Sequence, residues 1–333
     1  MTAKRVLVAG GAGYIGSHAA KALRLAGYEP VVFDDLSSGH QHAVRWGPLV
    51  QGDIRNTEAV RAAIRQYKPE SVMNFAARIE VGEGEKNPAA FYDNNVAGML
   101  NLVRVMLEED VRSFVFSSTC AIYGDPERLP LTEDLPKRPV SVYGRTKLMC
   151  EQMLADMSRA HGLRYAALRY FNAAGADSDG EIGEEHDPET HLIPNALKAA
   201  AGLGGAMKLF GDDYPTSDGT CIRDFIHVTD LADAHALAAK KLNEGARAIE
   251  LNLGTGEGRT VMEVLKSVEK ATGRVVPHTI SPRRPGDAIA LYSDATKVKA
   301  ELGWQPKLSD IDTIVSTAWN FHRRKWPVAK AAE

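Results

Sequence analysis

Tyr143 and Lys147 stand four residues apart in a segment, Val142 to Ala160, whose apolar spacing predicts a helix, so a phenol and an ammonium share one helix face a turn apart. Such a pair can hold and release a proton. A phenol with a pKa of ~10 is too weakly ionised to act as a base near neutrality, and bringing it to ~7 takes about 4 kcal/mol of interaction favouring phenolate. A neighbouring ammonium together with a second cation can supply that. The pair follows, 24 residues on, a predicted strand that ends Phe116-Ser117-Ser118-Thr119. The plainer reading of Tyr143 is a helix aromatic packed in a core.

A second constellation lies at the start of the chain. Gly10, Gly11, Gly13 and Gly16 fall between a predicted strand and a predicted helix and satisfy both GxGxxG and GxxGxxG. Glycines so placed allow a tight turn and bring a pyrophosphate to the helix N-terminus. Asp34 follows Gly16 by 18 residues at the end of the second predicted strand, where a carboxylate can hold an adenosine ribose diol. Asp35 beside it adds a second negative charge against a 2′-phosphate, so NAD is expected rather than NADP. The alternative is a glycine turn that only lets helix and strand cross closely. Asp53, in QGDIRN, can accept from an adenine amino group or can cap a helix.

The elements that must position these groups can be read from periodicity. Strands are expected at Arg5–Ala9, Pro30–Phe33, Leu49–Gln51, Ser71–Phe75, Ser113–Ser117 and Tyr165–Arg169, with helices at Tyr14–Ala26, Glu58–Gln66, Ala89–Glu108 and Val142–Ala160 between them. This alternation predicts right-handed βαβ units: an α/β fold with a Rossmann-type doubly wound parallel sheet. After Asn172 the texture changes to Gly, Asp, Glu and Pro, which predicts a smaller mixed α/β lobe over the sheet's carboxyl edge. Phe225–Val228 and Ile249–Leu253 read as strands again. The expected division is residues 1–174, with returns near 225–256, for the dinucleotide-binding part, and 175–224 with 257–333 for the smaller lobe.

Composition narrows the function classes. The chain of 333 residues is 44% hydrophobic and 25% charged, ordinary globular values that exclude a disordered or fibrous protein. Forty Lys and Arg against 43 Asp and Glu leave a net charge of −3, so no basic surplus points to nucleic acid or a membrane surface. Cys120, Cys150 and Cys221 form no CxxC pair and suggest neither a disulfide framework nor a zinc site; no metal is expected. The apolar run after Met1 is about five residues long, too short for a signal peptide, and a cytoplasmic location is expected.

These features together resemble the extended short-chain dehydrogenase/reductase superfamily and, within it, the UDP-glucose 4-epimerases (UDP-galactose 4-epimerases). The resemblance spans nearly the whole chain and is carried by GGAGYIGSH (10–18), GDIRN (52–56), YDNNVAG (92–98), FSSTCAIYG (116–124), YGRTK (143–147), RYFNAAGA (169–176), GDDYPTSDGTCIRDFIHVTDLADAH (211–235) and PRRPGD (282–287). It implies that Tyr143 takes the proton of the sugar 4-hydroxyl while hydride passes to NAD, that Thr119 hydrogen-bonds the same oxygen, and that Lys147 also holds the nicotinamide ribose. Cofactor contacts are implied for Gly10, Gly13, Tyr14, Ile15, Gly16, Asp34, Asp53, Ile54, Phe75, Ala76, Asn95, Lys147 and Tyr170. For the UDP-sugar it implies Thr119, Tyr143, Asn172, His191, Leu192, Phe210, Arg223, Arg284, Asp287 and Leu291. Arg223 and Arg284 take the diphosphate, Phe210 the uracil and Asp287 the uridine ribose, although Phe210 reads equally as core and Asn95 as a helix-sheet hydrogen bond. A homodimer paired through Ala89–Glu108 and Val142–Ala160 is implied too.

Related 4,6-dehydratases carry Asp-Glu directly after the threonine; here Cys120 and Ala121 follow Thr119, so elimination lacks its acid and base. Within the family a 4-epimerase of another UDP-sugar, UDP-xylose/UDP-arabinopyranose or UDP-N-acetylglucosamine, is the runner-up, and a net dehydrogenase and a non-enzymatic NAD sensor are the competing classes. Departures from the family pattern fall at Ile79, often lysine, with Arg78 as the replacement; at His191, elsewhere asparagine; and at Leu291, tyrosine in strict hexose enzymes and small in those that accept N-acetyl sugars. Leu291 is expected to set substrate choice by volume, with weak activity on UDP-N-acetylglucosamine.

Overall fold

The β-branched runs of the first half are buried on both faces, as central parallel strands require, and the computed structural model, which describes residues 4–284 and 287–327, assembles them into one sheet. Pro285 and Gly286 of the PRRPGD segment lie outside the described residues. Along the chain come β1 (Arg5–Ala9), α1 (Tyr14–Leu25), β2 (Glu29–Asp34), β3 (Leu49–Gln51), α2 (Thr57–Tyr67), β4 (Ser71–Asn74), α3 (Val81–Lys86), α4 (Pro88–Phe91), a π-helical turn Tyr92–Gly98 and α5 (Met99–Glu108). Then follow β5 (Ser113–Thr119), α6 (Val142–His161), β6 (Arg164–Tyr170), β7 (Asn172–Ala174), α7 (Leu192–Ala200), β8 (Met207–Phe210), β9 (Ile222–His227) and α8 (Val228–Asn243). The chain ends with β10 (Ala248–Leu253), β11 (Gly258–Thr260), α9 (Val261–Thr272), β12 (His278–Ser281), β13 (Ala290–Leu291), α10 (Thr296–Leu302) and α11 (Ile311–Lys325).

Seven parallel strands run in the order β10-β6-β5-β4-β1-β2-β3. The chain winds outward from β1 to β3, then restarts at β4 on β1's other side, so the carboxyl ends of β1 and β4 flank a switch point where a ligand crevice opens. Side chains alternate across β1: Val6 and Val8 join a core with α1 and α8, while Leu7 and Ala9 join one with α2, α5 and α6. In the smaller lobe β9 pairs with β7, β11 and β13, and α7, α9 and α11 close a separate core around Val264, Ile314 and Trp319. Among the described residues no helix is long and apolar enough to cross a membrane.

Two local expectations change. Phe225–Val228 does not return to the large sheet, because β10 already occupies the outer edge of β6, in register from Ala248 opposite Tyr165 to Leu253 opposite Tyr170. β9 is left to the smaller sheet, Val228 opens α8, and the return is made by α8 and β10. Asn172 does not end the sixth strand; it opens β7, and its Nδ2 donates to the Asp224 carbonyl at 2.9 Å, tying β7 to β9.

Candidate active site

A cleft of about 1110 Å³ opens at the switch point between the large sheet and the smaller lobe, and every candidate residue named from the sequence lines it except Gly11, Asn95 and Leu291. That volume exceeds the range for single small-molecule sites, roughly 300–1000 Å³. It suits two ligands end to end.

At its centre lie Tyr143 and Lys147. Helix α6 begins where Ser141 caps it, its side chain accepting from Gly144 N at 3.0 Å, so both residues fall in the first turns and face β5. Lys147 is buried; its Nζ donates to the Ser117 carbonyl at 2.8 Å and stands 4.9 Å over the Phe116 ring and 5.7 Å from the Tyr143 ring centre. Burial lowers its pKa to about 8. Burial also pushes the Tyr143 phenol well above its ordinary value, with a hydrogen bond to Thr119 acting the other way. Lys147 Nζ is thus anchored on the Ser117 carbonyl beside the phenol, and in the protein alone burial of Tyr143 opposes phenolate. Tyr170, also in the cleft, shares a 2.6 Å hydrogen bond with Ser117 Oγ.

Glu151 holds this arrangement together and was missed. Its Oε1 accepts from Ser118 Oγ at 2.6 Å and from Arg169 Nε at 2.9 Å, and its Oε2 accepts from the second Arg169 nitrogen at 2.8 Å. Arg169, fully buried, also donates to Glu250 at 2.6 Å. One charge network thus joins the end of β5, which carries Thr119, to α6, β6 and β10. The available signal was spacing, since positions 143, 147 and 151 continue one helix face.

Two strands along the same carboxyl edge, after β1, the glycines do two different jobs. A Cβ on Gly16 would stand 2.1 Å from the Gly10 carbonyl oxygen, and Gly10 has φ +74° with Ala76 N 2.4 Å from its would-be Cβ, so these two are demanded by the helix-strand crossing itself. Gly13 is different. A Cβ there would meet only the Gly10 oxygen at 3.4 Å, yet Gly13 caps α1 without a side-chain hydrogen bond, and the first turn holds no acidic residue. The open helix end and the bare glycine form a cradle for a pyrophosphate, which is the fit that a dinucleotide requires.

Asp34 is buried with Oδ2 accepting from Ala12 N and Oδ1 from Leu36 N, both at 2.9 Å, which orients the carboxylate at the cleft with Asp35 beside it. Asp53 is no helix cap; Asn56 caps α2, and Arg55 forks onto Asp53 at 2.9 and 2.6 Å, holding its carboxyl below the usual range. Asn95 stays out of the cleft because its amide is consumed within the protein, accepting from Arg78 N at 2.8 Å and donating to the Arg78 carbonyl and to Thr146 Oγ1. It fixes the loop after β4, and the neighbouring Asn94 lines the cleft instead.

In the smaller lobe Arg223 pairs with Asp287 at 2.8 Å, and the Arg284 guanidinium stacks 4.0 Å over the Phe210 ring. Phe210 is half-buried in the cleft wall, not a core residue. Cations and an aromatic face thus stand together opposite the catalytic pair. His191 opens α7 with its Nδ1 hydrogen-bonded to Glu184, and Leu192 follows it in the wall. Leu291, partly buried, packs against the cluster of Ile122, Tyr123, Leu131, Leu135 and Phe171. Cys120 and Ala121 do line the cleft after Thr119, and burial raises the Cys120 thiol to about 12, so it is neutral and offers no acid-base pair.

Residues 6–254 match the model of the NAD dependent epimerase/dehydratase family. A UDP-glucose 4-epimerase of Rhizobium meliloti (strain 1021) is 50% identical over 325 residues, 98% of this chain and 99% of that one. A UDP-glucose 4-epimerase of Brucella ovis, solved in complex with NAD, is 52% identical with a TM-score of 0.94 over 96% of this chain and 98% of its own. Another, from Bifidobacterium longum in complex with NAD+ and UDP, is 36% identical with a TM-score of 0.91 over 96% and 98%.

Proposed function

The chain belongs to the NAD dependent epimerase/dehydratase family, and on that premise we propose that it is an isomerase, a UDP-glucose 4-epimerase that interconverts UDP-glucose and UDP-galactose with NAD as cofactor. The observation that carries this reading is the pairing of Tyr143 and Thr119 with a following Cys120-Ala121 that cannot eliminate water, inside a cleft with a dinucleotide cradle at one end and arginines at the other. The relatives' nucleotide-sugar chemistry supports it.

NAD, when bound, supplies a reversible hydride acceptor for the sugar C4. Tyr143 receives the proton of the 4-hydroxyl and later returns it, Thr119 polarises the same oxygen, and Lys147 keeps a positive charge beside the phenol while anchored to Ser117. Arg223 and Arg284 hold the diphosphate, and Phe210 and Asp287 hold the uridine. Gripped only there, the 4-keto sugar can turn over and present its other face. A homodimer through α5 and α6 is part of the proposal, supported by the exposed apolar side chains of Leu100 and Met149 on those helices. A cytoplasmic location, which suits the free thiols of Cys120, Cys150 and Cys221, completes it.

Incubating purified protein with UDP-galactose and no added cofactor tests the reading. Conversion to UDP-glucose without accumulation of NADH is expected. NADH produced in step with a keto product would make the protein a net dehydrogenase, and a 4-keto-6-deoxy product would make it a dehydratase.

A further inference from the structure

Between β7 and α7 the segment EEHDPETH (184–191) folds Glu184, His186, Glu189 and His191 together, each offering one ligand atom within 4.8 Å of the others. The Glu184 and Glu189 side chains are each only 3% exposed. Among the described residues neither pairs with a lysine or arginine. Their ionic partners are the two imidazoles: His186 Nδ1 lies 3.2 Å from Glu184 Oε1 and 3.8 Å from Glu189 Oε1, and His191 Nδ1 also meets Glu184 Oε1.

Two buried carboxylates are stable only with compensating positive charge. In the metal-free protein the two imidazoles stand where that charge is needed, each against a buried carboxylate. One divalent cation provides the same charge at the same place. Donors at about 2.0–2.2 Å around a tetrahedral zinc stand roughly 3.3 Å apart; His186 Nδ1 meets the two carboxylates at 3.2 and 3.8 Å and all four ligand atoms lie within 4.8 Å, so small side-chain rotations bring them to that spacing, and imidazole favours zinc-class ions over magnesium or calcium. The carboxylate is also oriented as a ligand should be, with Glu189 Oε1 accepting from Thr190 N and His191 N at 2.8 Å each.

We propose that Glu184, His186, Glu189 and His191 form a binding site for one divalent transition-metal ion of the zinc class on the wall of the cleft. This sets aside the expectation of no metal, which rested on the cysteines; the ligands come from a different segment. Bound, the ion ties residues 184–191 into one closed loop where the chain enters α7, and the Tyr14 ring, edge-on to His186 with centres 6.3 Å apart, links that loop to the start of α1.

Chelator-treated, full-length protein is titrated with Zn2+ by calorimetry in two buffers of different ionisation enthalpy, and with Co2+ by visible absorption. The expected result is one saturable equivalent, tetrahedral cobalt bands, and no displacement by Mg2+. Loss of an outer partner of a metal ligand already costs ~10–100-fold in affinity, so His186→Ala and Glu189→Gln should each weaken the site at least ~100-fold. Absence of a saturable equivalent in the wild type overturns the proposal and leaves the cluster an ion-pair network, a result that needs no variant to fold. An equivalent whose affinity is unchanged in folded His186→Ala protein places the ion elsewhere and overturns it equally.

Discussion

Tyr143 is held neutral by burial in the protein alone, and the cation that should ionise it belongs to its ligand. The cofactor-stripped protein should therefore show no Tyr143 phenolate up to about pH 9, and adding NAD should bring the phenolate into that range; ultraviolet difference titration of wild type against Tyr143→Phe reads this directly. The same substitution should lower kcat by ~10²–10⁴ while NAD stays bound, since only one hydroxyl is lost. A kcat within twofold of wild type, with chemistry rate-limiting, removes Tyr143 as the base. Leu291 carries a revised expectation. Partly buried against Ile122, Leu131 and Phe171, it contributes to their packing, so a ring in its place should press on the cluster and Leu291→Tyr should cost about 1–3 kcal/mol in denaturant unfolding. Its influence on sugar choice is then indirect, through Phe171 and Cys120. A variant of full stability whose kcat/KM ratio for UDP-galactose over UDP-N-acetylglucosamine rises sharply would return Leu291 to the pocket wall.

The β1-α1 turn separates folding from binding within one motif. Gly16→Ala drives a methyl into the Gly10 carbonyl oxygen, and the turn must open or fail, so a large loss of stability or of soluble protein is expected. Gly13 has extended backbone, φ −81° and ψ 176°, and its added Cβ meets only one oxygen at van der Waals distance. Gly13→Ala should keep the fold, at about 1 kcal/mol for a poorer cap, and weaken NAD binding at least tenfold by filling the cradle. Fluorescence titration with NADH beside a thermal melt distinguishes the two. Equal NAD affinity in folded Gly13→Ala protein would mean that the pyrophosphate lies elsewhere.

At the scale of the molecule, α5 and α6 present Leu100 and Met149 to solvent at 41% and 44% exposure, on helices whose other faces are buried against the sheet. If two copies pair there, Leu100→Glu with Met149→Glu should turn a dimer into a monomer in sedimentation experiments without unfolding it; an unchanged mass would exclude this face. Much of the architecture was legible because its signals are local. Alternating runs and helical periods mark β1 through β6, and the glycine spacing together with Tyr143 and Lys147 marks the chemistry, since a few residues of chain suffice to set each geometry. What was not legible depends on partners far along the chain. The strand at Phe225 looks like any returning strand until Ala248–Leu253 is seen to hold the edge of β6. The amide of Asn95 can be placed at the cofactor or within the protein until Arg78 and Thr146 are seen to consume it, and the anchor of Lys147 on the Ser117 carbonyl is set by a strand 30 residues away in the chain. Burial, pairing and charge compensation are properties of surroundings assembled from distant segments, so they arise only when the chain has folded.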